Sequence, residues 1–109
     1  MAYEGIADWI EFNARNISHV PNVPGIYELA DITRRIVYIN KAAKLSMALT
    51  DINANPTICL RSVRYFRVAL NPNLLDGLKA RLLAFRDSTS EAHPKCNSTR
   101  DFPFRTLSS

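Results

Sequence analysis

Glycine is scarce in this chain. Only Gly5, Gly25 and Gly77 occur among 109 residues, too few for a glycine-rich loop that cradles phosphate. Soft metal ligands are equally few: His19, Cys59, His93 and Cys96. They form no Cys-x-x-Cys pair, so a zinc site is not expected and the four read as loop or core residues. Two cysteines also do not make a disulfide framework. No apolar run approaches the roughly 18 residues that a membrane helix needs. The N-terminus lacks the basic stretch and long apolar segment of a signal peptide. These absences lead us to expect a cytoplasmic protein with reduced thiols and no membrane contact.

What is present is ordinary for one globular domain: 47% hydrophobic and 22% charged residues, enough to bury a modest core. The net charge of +4 is unevenly spread. Residues 1–31 hold five acids (Glu4, Asp8, Glu11, Glu28, Asp31) and one base, Arg15. Residues 34–67 hold seven bases (Arg34, Arg35, Lys41, Lys44, Arg61, Arg64, Arg67) and one acid, Asp51. A basic block of this kind suits DNA or RNA, although the same charges also serve as a solvated surface. Arg61, Arg64 and Arg67 are three apart, so on an extended strand they do not share one face.

The pattern of elements is that of a small α/β (α+β) domain. Residues 1–20 read as an N-terminal arm whose Trp9, Ile10 and Phe12 tuck onto the core. Turn residues from Pro21 to Gly25 lead into a strand, Gly25 to Leu29, and Ile36 to Ile39 reads as its hairpin partner. Asn40 is placed as the N-cap of a helix carrying Ala42, Leu45, Leu49 and Ile52. Asn53 to Pro56 ends it. Val63 to Leu70 reads as a third strand. A second helix begins near Asn71 and Pro72 with the stripe Leu75, Leu78, Leu82 and Phe85, which Gly77 weakens by roughly 1 kcal/mol. The stretch from Ser88 onward is mostly polar, with Phe102, Pro103 and Phe104 as candidates to pack on the core. The expected organisation is an arm (1–20), a domain (21–97) with a mainly antiparallel three-stranded sheet flanked by helices, and a tail (98–109).

Two tripeptides stand out within this order: Gly25-Ile26-Tyr27 and Tyr38-Ile39-Asn40. With Val23 and Pro24, Lys41 and Ala42, Tyr65 to Arg67, and Pro94 to Asn97, the chain resembles the GIY-YIG nuclease family, in its small stand-alone branch, over residues 21–97. The resemblance implies a metal-dependent endonuclease. Its two motif tyrosines activate water, an arginine on the first helix supports the phosphate, and a glutamate on the second helix binds a divalent metal. Tyr27 and Tyr38 match the tyrosines, and Asn97 matches a late asparagine. Asn40 replaces the second-motif glycine; asparagine tolerates unusual backbone angles better than most residues.

The other two positions are lost. The arginine falls on Ala48 and the glutamate on Lys79, both at the borders of helical apolar stripes, from which side chains could reach a shared face of the sheet. An ammonium in place of a metal-binding carboxylate turns attraction into repulsion, worth up to ~4 kcal/mol for unit charges about 4 Å apart at an effective dielectric near 20. Asp76 could offer a replacement carboxylate, and Arg86 or Arg61 a replacement cation. Tyr27 and Tyr38 could equally be strand aromatics that fill the core. The expected function is a catalytically impaired nucleic-acid-binding module. A protein-interaction or regulatory domain reusing the old active face is the second possibility, and an active endonuclease the third. No cofactor is expected, except Mg²⁺ or Mn²⁺ if the chain cuts.

Overall fold

A computed structural model describes residues 8–97; Phe102, Pro103 and Phe104 lie outside the described residues. The elements in chain order are β1 (Ile10–Glu11), α1 (Ala14–Ile17), β2 (Gly25–Ala30), β3 (Ile36–Ala42), α2 (Leu45–Ala54), a 3₁₀ turn (Cys59–Ser62), β4 (Tyr65–Leu70) and α3 (Leu74–Thr89). The sheet is antiparallel throughout, in the order β1-β4-β2-β3. The three expected strands are present, joined at one edge by a two-residue strand from the arm.

β2 lies in the middle of the sheet and is buried along its whole length. Its alternation sends Tyr27 and Leu29 to one face and Ile26 and Glu28 to the other. On the first face α1 and α2 close a core that includes Tyr27, Leu29, Leu45, Leu49 and Phe66. On the second face Leu78, Leu82 and Phe85 of α3 pack on Ile26 and Ile39. The helical stripe is as expected except at its start: Leu75 is 48% exposed, and Leu74 packs on the core instead.

Gly25 is needed for close approach. A Cβ there would lie 2.5 Å from Leu45 Cδ1 and 2.7 Å from the carbonyl oxygen of Ala69. Both distances are below van der Waals contact, and the second neighbour is backbone that cannot turn aside.

Asn40 does not cap a helix. It continues β3 opposite Tyr27, and Ala42, which fits the helical stripe by spacing, is also strand. α2 starts later, with Lys44 as N-cap and no cap bond from its own side chain. Asn22, back in the preceding turn, supplies one: its Oδ1 accepts from Met47 N at 3.0 Å. An orphan amide of the first turn is thus satisfied from a position that local spacing does not reveal.

The expectation of reduced thiols is also corrected. Cys59 and Cys96 form a disulfide (S–S 2.03 Å, Cα–Cα 5.7 Å). They are 37 residues apart, and only folding brings the 3₁₀ turn beside the segment after α3. That segment runs along β3: Cys96 N donates to Val37 O at 2.8 Å. Asn97 then accepts from Ile39 N and donates to Ile39 O, both at 2.9 Å. Among the described residues, no helix is long and apolar enough to cross a membrane.

Candidate functional site

Tyr27 and Tyr38 come from neighbouring strands and share the α2 face. Their ring centroids are 6.1 Å apart and their planes inclined by 44°. Tyr27 is 4% exposed; Tyr38 is half-buried and its hydroxyl accepts from Asn40 Nδ2 at 2.7 Å. Ala48 of α2 packs against the same apolar core. Asn40 has no left-handed backbone; among the described residues only Arg34 and Ser90 have positive φ.

Lys79 is placed differently. It belongs to α3, the helix over the opposite face of the sheet, so the expectation that all the borrowed positions reach one shared face is not met. The reason is that α2 and α3 bury their apolar stripes on opposite sides of β2. Asn97 is at the outer edge of β3, buried, with its amide spent on the Ile39 backbone. Asp76 starts α3, where its Oδ2 accepts from Asn73 Nδ2 at 2.9 Å and its charge favours the helix N-terminus. The donor set does not fit a divalent metal: an ammonium stands where the resemblance needs a carboxylate. Among the described residues no three His, Cys, Asp or Glu side chains gather to hold one.

The basic block separates into two groups at opposite ends of the sheet. Arg34 and Arg35 sit at the β2–β3 turn. Arg64, through its N–H to Ala30 O at 2.8 Å, is held at that same end, and Arg61 accepts from Arg64 Nη1 through its carbonyl at 3.1 Å. Lys41 and Lys44 lie at the other end, near Gly25, about 17 Å away at the usual rise of an extended strand. Arg35 pairs with Glu91. Arg61 and Arg64 border a depression of about 250 Å³ whose other walls include Phe12, Ile52, Leu60 and Val63.

Arg67 is not an open phosphate contact, because it is tied to a buried acid. Glu28 is fully buried. Its Oε1 accepts from Arg67 Nε at 2.8 Å and its Oε2 accepts from Arg81 Nε. The two arginine side chains are 21% and 16% exposed. The Arg67 guanidinium lies 4.1 Å from the centroid of the Trp9 ring, and that of Arg34 lies 5.0 Å from the Tyr65 centroid. A depression of about 300 Å³ is lined by Asp8, Trp9 and Arg34. Ile10 and Phe12 pack on the core as expected, but Trp9 belongs to neither apolar cluster and lies against Arg67 instead; Arg81 carries no local sequence signal. The available signal was a lone acid, Glu28, inside the apolar run of a central strand, since such an acid requires a cation from a neighbouring element.

At the β2–β3 turn, Asp31 Oδ1 accepts from the Thr33 hydroxyl at 2.6 Å and from the N–H groups of Thr33 and Arg35. The Thr33 hydroxyl, followed by those backbone donors, holds the carboxyl below its ordinary range. The turn is thereby fixed although Arg34 has φ 67°, a region that side chains other than Gly, Asn and Asp rarely enter.

A family model described as a domain of unknown function (DUF7508) matches residues 6–85. No curated protein matches the chain.

Proposed function

We propose that this chain, which belongs to the family described as a domain of unknown function (DUF7508), is a nucleic-acid-binding module with a GIY-YIG-like core that does not cut. The observation that carries the binding reading is the set of arginines at one end of the sheet, Arg34, Arg35, Arg61 and Arg64. The absence of cutting is supported by three facts. Tyr27 is buried in an apolar core, Ala48 puts a methyl group of that core where the resemblance needs an arginine, and Lys79 stands where it needs a glutamate, on a helix over the other face. Packing is then what the two tyrosines supply.

Binding rests on phosphate neutralisation, so affinity for DNA and RNA falls steeply as salt rises. Arg34→Gln and Arg64→Gln should each weaken binding across sequences and lower the salt slope by about one. Titration by fluorescence anisotropy at several salt concentrations measures both effects. Incubation of the same complexes with Mg²⁺ and with Mn²⁺ should leave the strands whole. Metal-dependent cutting by the unmodified protein would overturn the non-cleaving reading. No binding to either polymer at low salt would overturn the nucleic-acid reading in favour of a protein partner. That second reading draws on the depression beside Leu60 and Val63, whose walls are apolar between two arginines.

A further inference from the structure

Resting on the nucleic-acid reading, we infer that the depression lined by Asp8, Trp9 and Arg34 is a slot for one unpaired base of a single strand, with cytosine favoured over thymine and uracil. Its volume of about 300 Å³ is at the small end for ligand pockets, the size class of a single base rather than a longer ligand. Trp9 is half-buried and lines the slot. An indole face accepts any base by stacking.

The ring is held in place from beneath. Arg67 lies 4.1 Å from its centroid, and Arg67 is fixed by the fully buried Glu28. Arg67 is therefore a positioning residue for Trp9, its own orientation set before any ligand arrives. Arg34, which also lines the slot, is held by the left-handed turn and by Tyr65. Its exposed guanidinium is available to the phosphate beside the base. It also joins the slot to the cationic end of the sheet.

Specificity comes from Asp8. An ionised carboxylate only accepts hydrogen bonds, and the base edges that suit it carry an amino donor, as cytosine does at N4 and as thymine and uracil do not. Thymine and uracil present a carbonyl oxygen at that position, which repels it. Duplex bases already have their edges paired and their faces stacked, so they do not enter without being unpaired. The slot thus separates single from double strands by access, and cytosine from thymine or uracil by charge.

The chain has a single tryptophan, so its emission reports directly on the slot. The test titrates the full chain with oligo(dC), oligo(dT), oligo(rC), oligo(rU) and a DNA duplex, following tryptophan emission and anisotropy together. Oligo(dC) and oligo(rC) should quench the emission and bind about tenfold tighter than oligo(dT) and oligo(rU); the tighter of the two cytosine strands identifies the polymer. Trp9→Ala should weaken cytosine-strand binding about tenfold, the scale of one lost stacking contact. Trp9→Phe, which keeps a ring, should retain most of the affinity. Asp8→Ala should erase the preference for cytosine. Affinity for oligo(dT) equal to that for oligo(dC), or unchanged affinity in Trp9→Ala, would overturn the slot. Duplex binding without quenching or single-strand preference would overturn the slot and leave the nucleic-acid reading standing. No binding to any of the five would remove both.

Discussion

The two faces of β2 handle polar chemistry in opposite ways. On the α2 face, Tyr27 is buried in an apolar core that Ala48 also joins, and Tyr38 is half-buried with its hydroxyl accepting from the side-chain amide of Asn40. On the α3 face, the same strand buries a carboxylate at Glu28 and surrounds it with two guanidinium groups. The residues that look catalytic by motif are packed like core, whereas the ionic arrangement stands where the motif offers nothing. The contrast teaches that a tyrosine pair on neighbouring strands can serve a sheet–helix interface by packing, while a charged cluster on the other side holds side chains in fixed directions.

The sharpest way to break this contrast is at Glu28. Removing one partner of a buried ionic cluster leaves charge uncompensated, so Glu28→Ala should cost about 3–5 kcal/mol of unfolding free energy. Urea denaturation followed by circular dichroism measures it. A cost under ~1 kcal/mol would mean that water or relaxation satisfies Arg67 and Arg81 without the acid. Replacing Glu28, Arg67 and Arg81 together by methionine should recover much of the loss. On the base-slot proposal, the recovered protein should still bind cytosine strands up to about tenfold more weakly, because Trp9 has lost its support.

A smaller effect is expected on the other face. Tyr38→Phe deletes the acceptor of the Asn40 side chain and should cost about 0.5–1.5 kcal/mol. On the reading developed above, it should leave nucleic-acid affinity unchanged. A fall in affinity without a fall in stability would place Tyr38 in a binding surface and undo the contrast.

The smallest effect concerns the turn that joins the two strands. The Asp31 carboxyl titrates below its unfolded value because the folded state donates hydrogen bonds to its ionised form. Its contribution is therefore present above the unfolded pKa and is lost as pH falls through the folded one. The group is exposed enough for solvent to screen it, so only a slight acid-side loosening of the turn is expected. Amide exchange at Thr33 and Arg35 would detect it. Asp31→Asn should flatten that pH dependence.

Much of the fold was legible because its signals are local. The β-branched and aromatic run Ile36 to Ile39, and the stripe Leu78, Leu82 and Phe85 at helical spacing, separate strand from helix, although a register shift sends Val37 and Ile39 to opposite faces. The errors occurred where two elements meet. Ala42 fits the stripe of α2 by spacing but pairs with Gly25 in the sheet, because strand pairing depends on a partner far along the chain. β1 is only two residues long, below the reach of any periodic pattern. The site was less legible than the fold. Charge counting grouped seven bases in one block, yet the strands carry Lys41 and Lys44 to one end of the sheet and Arg34, Arg35 and Arg64 to the other. Arg67 counted as a free cation because its partner, Glu28, sits 39 positions earlier. Trp9 reads as a core residue because it is large and apolar, yet it stacks on Arg67, a neighbour that spacing along the chain does not reveal.

Asn97 has one more consequence. A strand at the border of a sheet normally leaves amides and carbonyls open to any other extended chain, including another copy of the same protein. At Ile39 both backbone groups are taken by one side-chain amide, which imitates the peptide unit of an additional strand without extending the sheet. Next to it Cys96 occupies the Val37 carbonyl, and its covalent tie to Cys59 keeps that short cover in place. Among the described residues, two thus fill the outward hydrogen-bonding groups of β3 at Val37 O and Ile39, which blocks edge-to-edge pairing along that stretch.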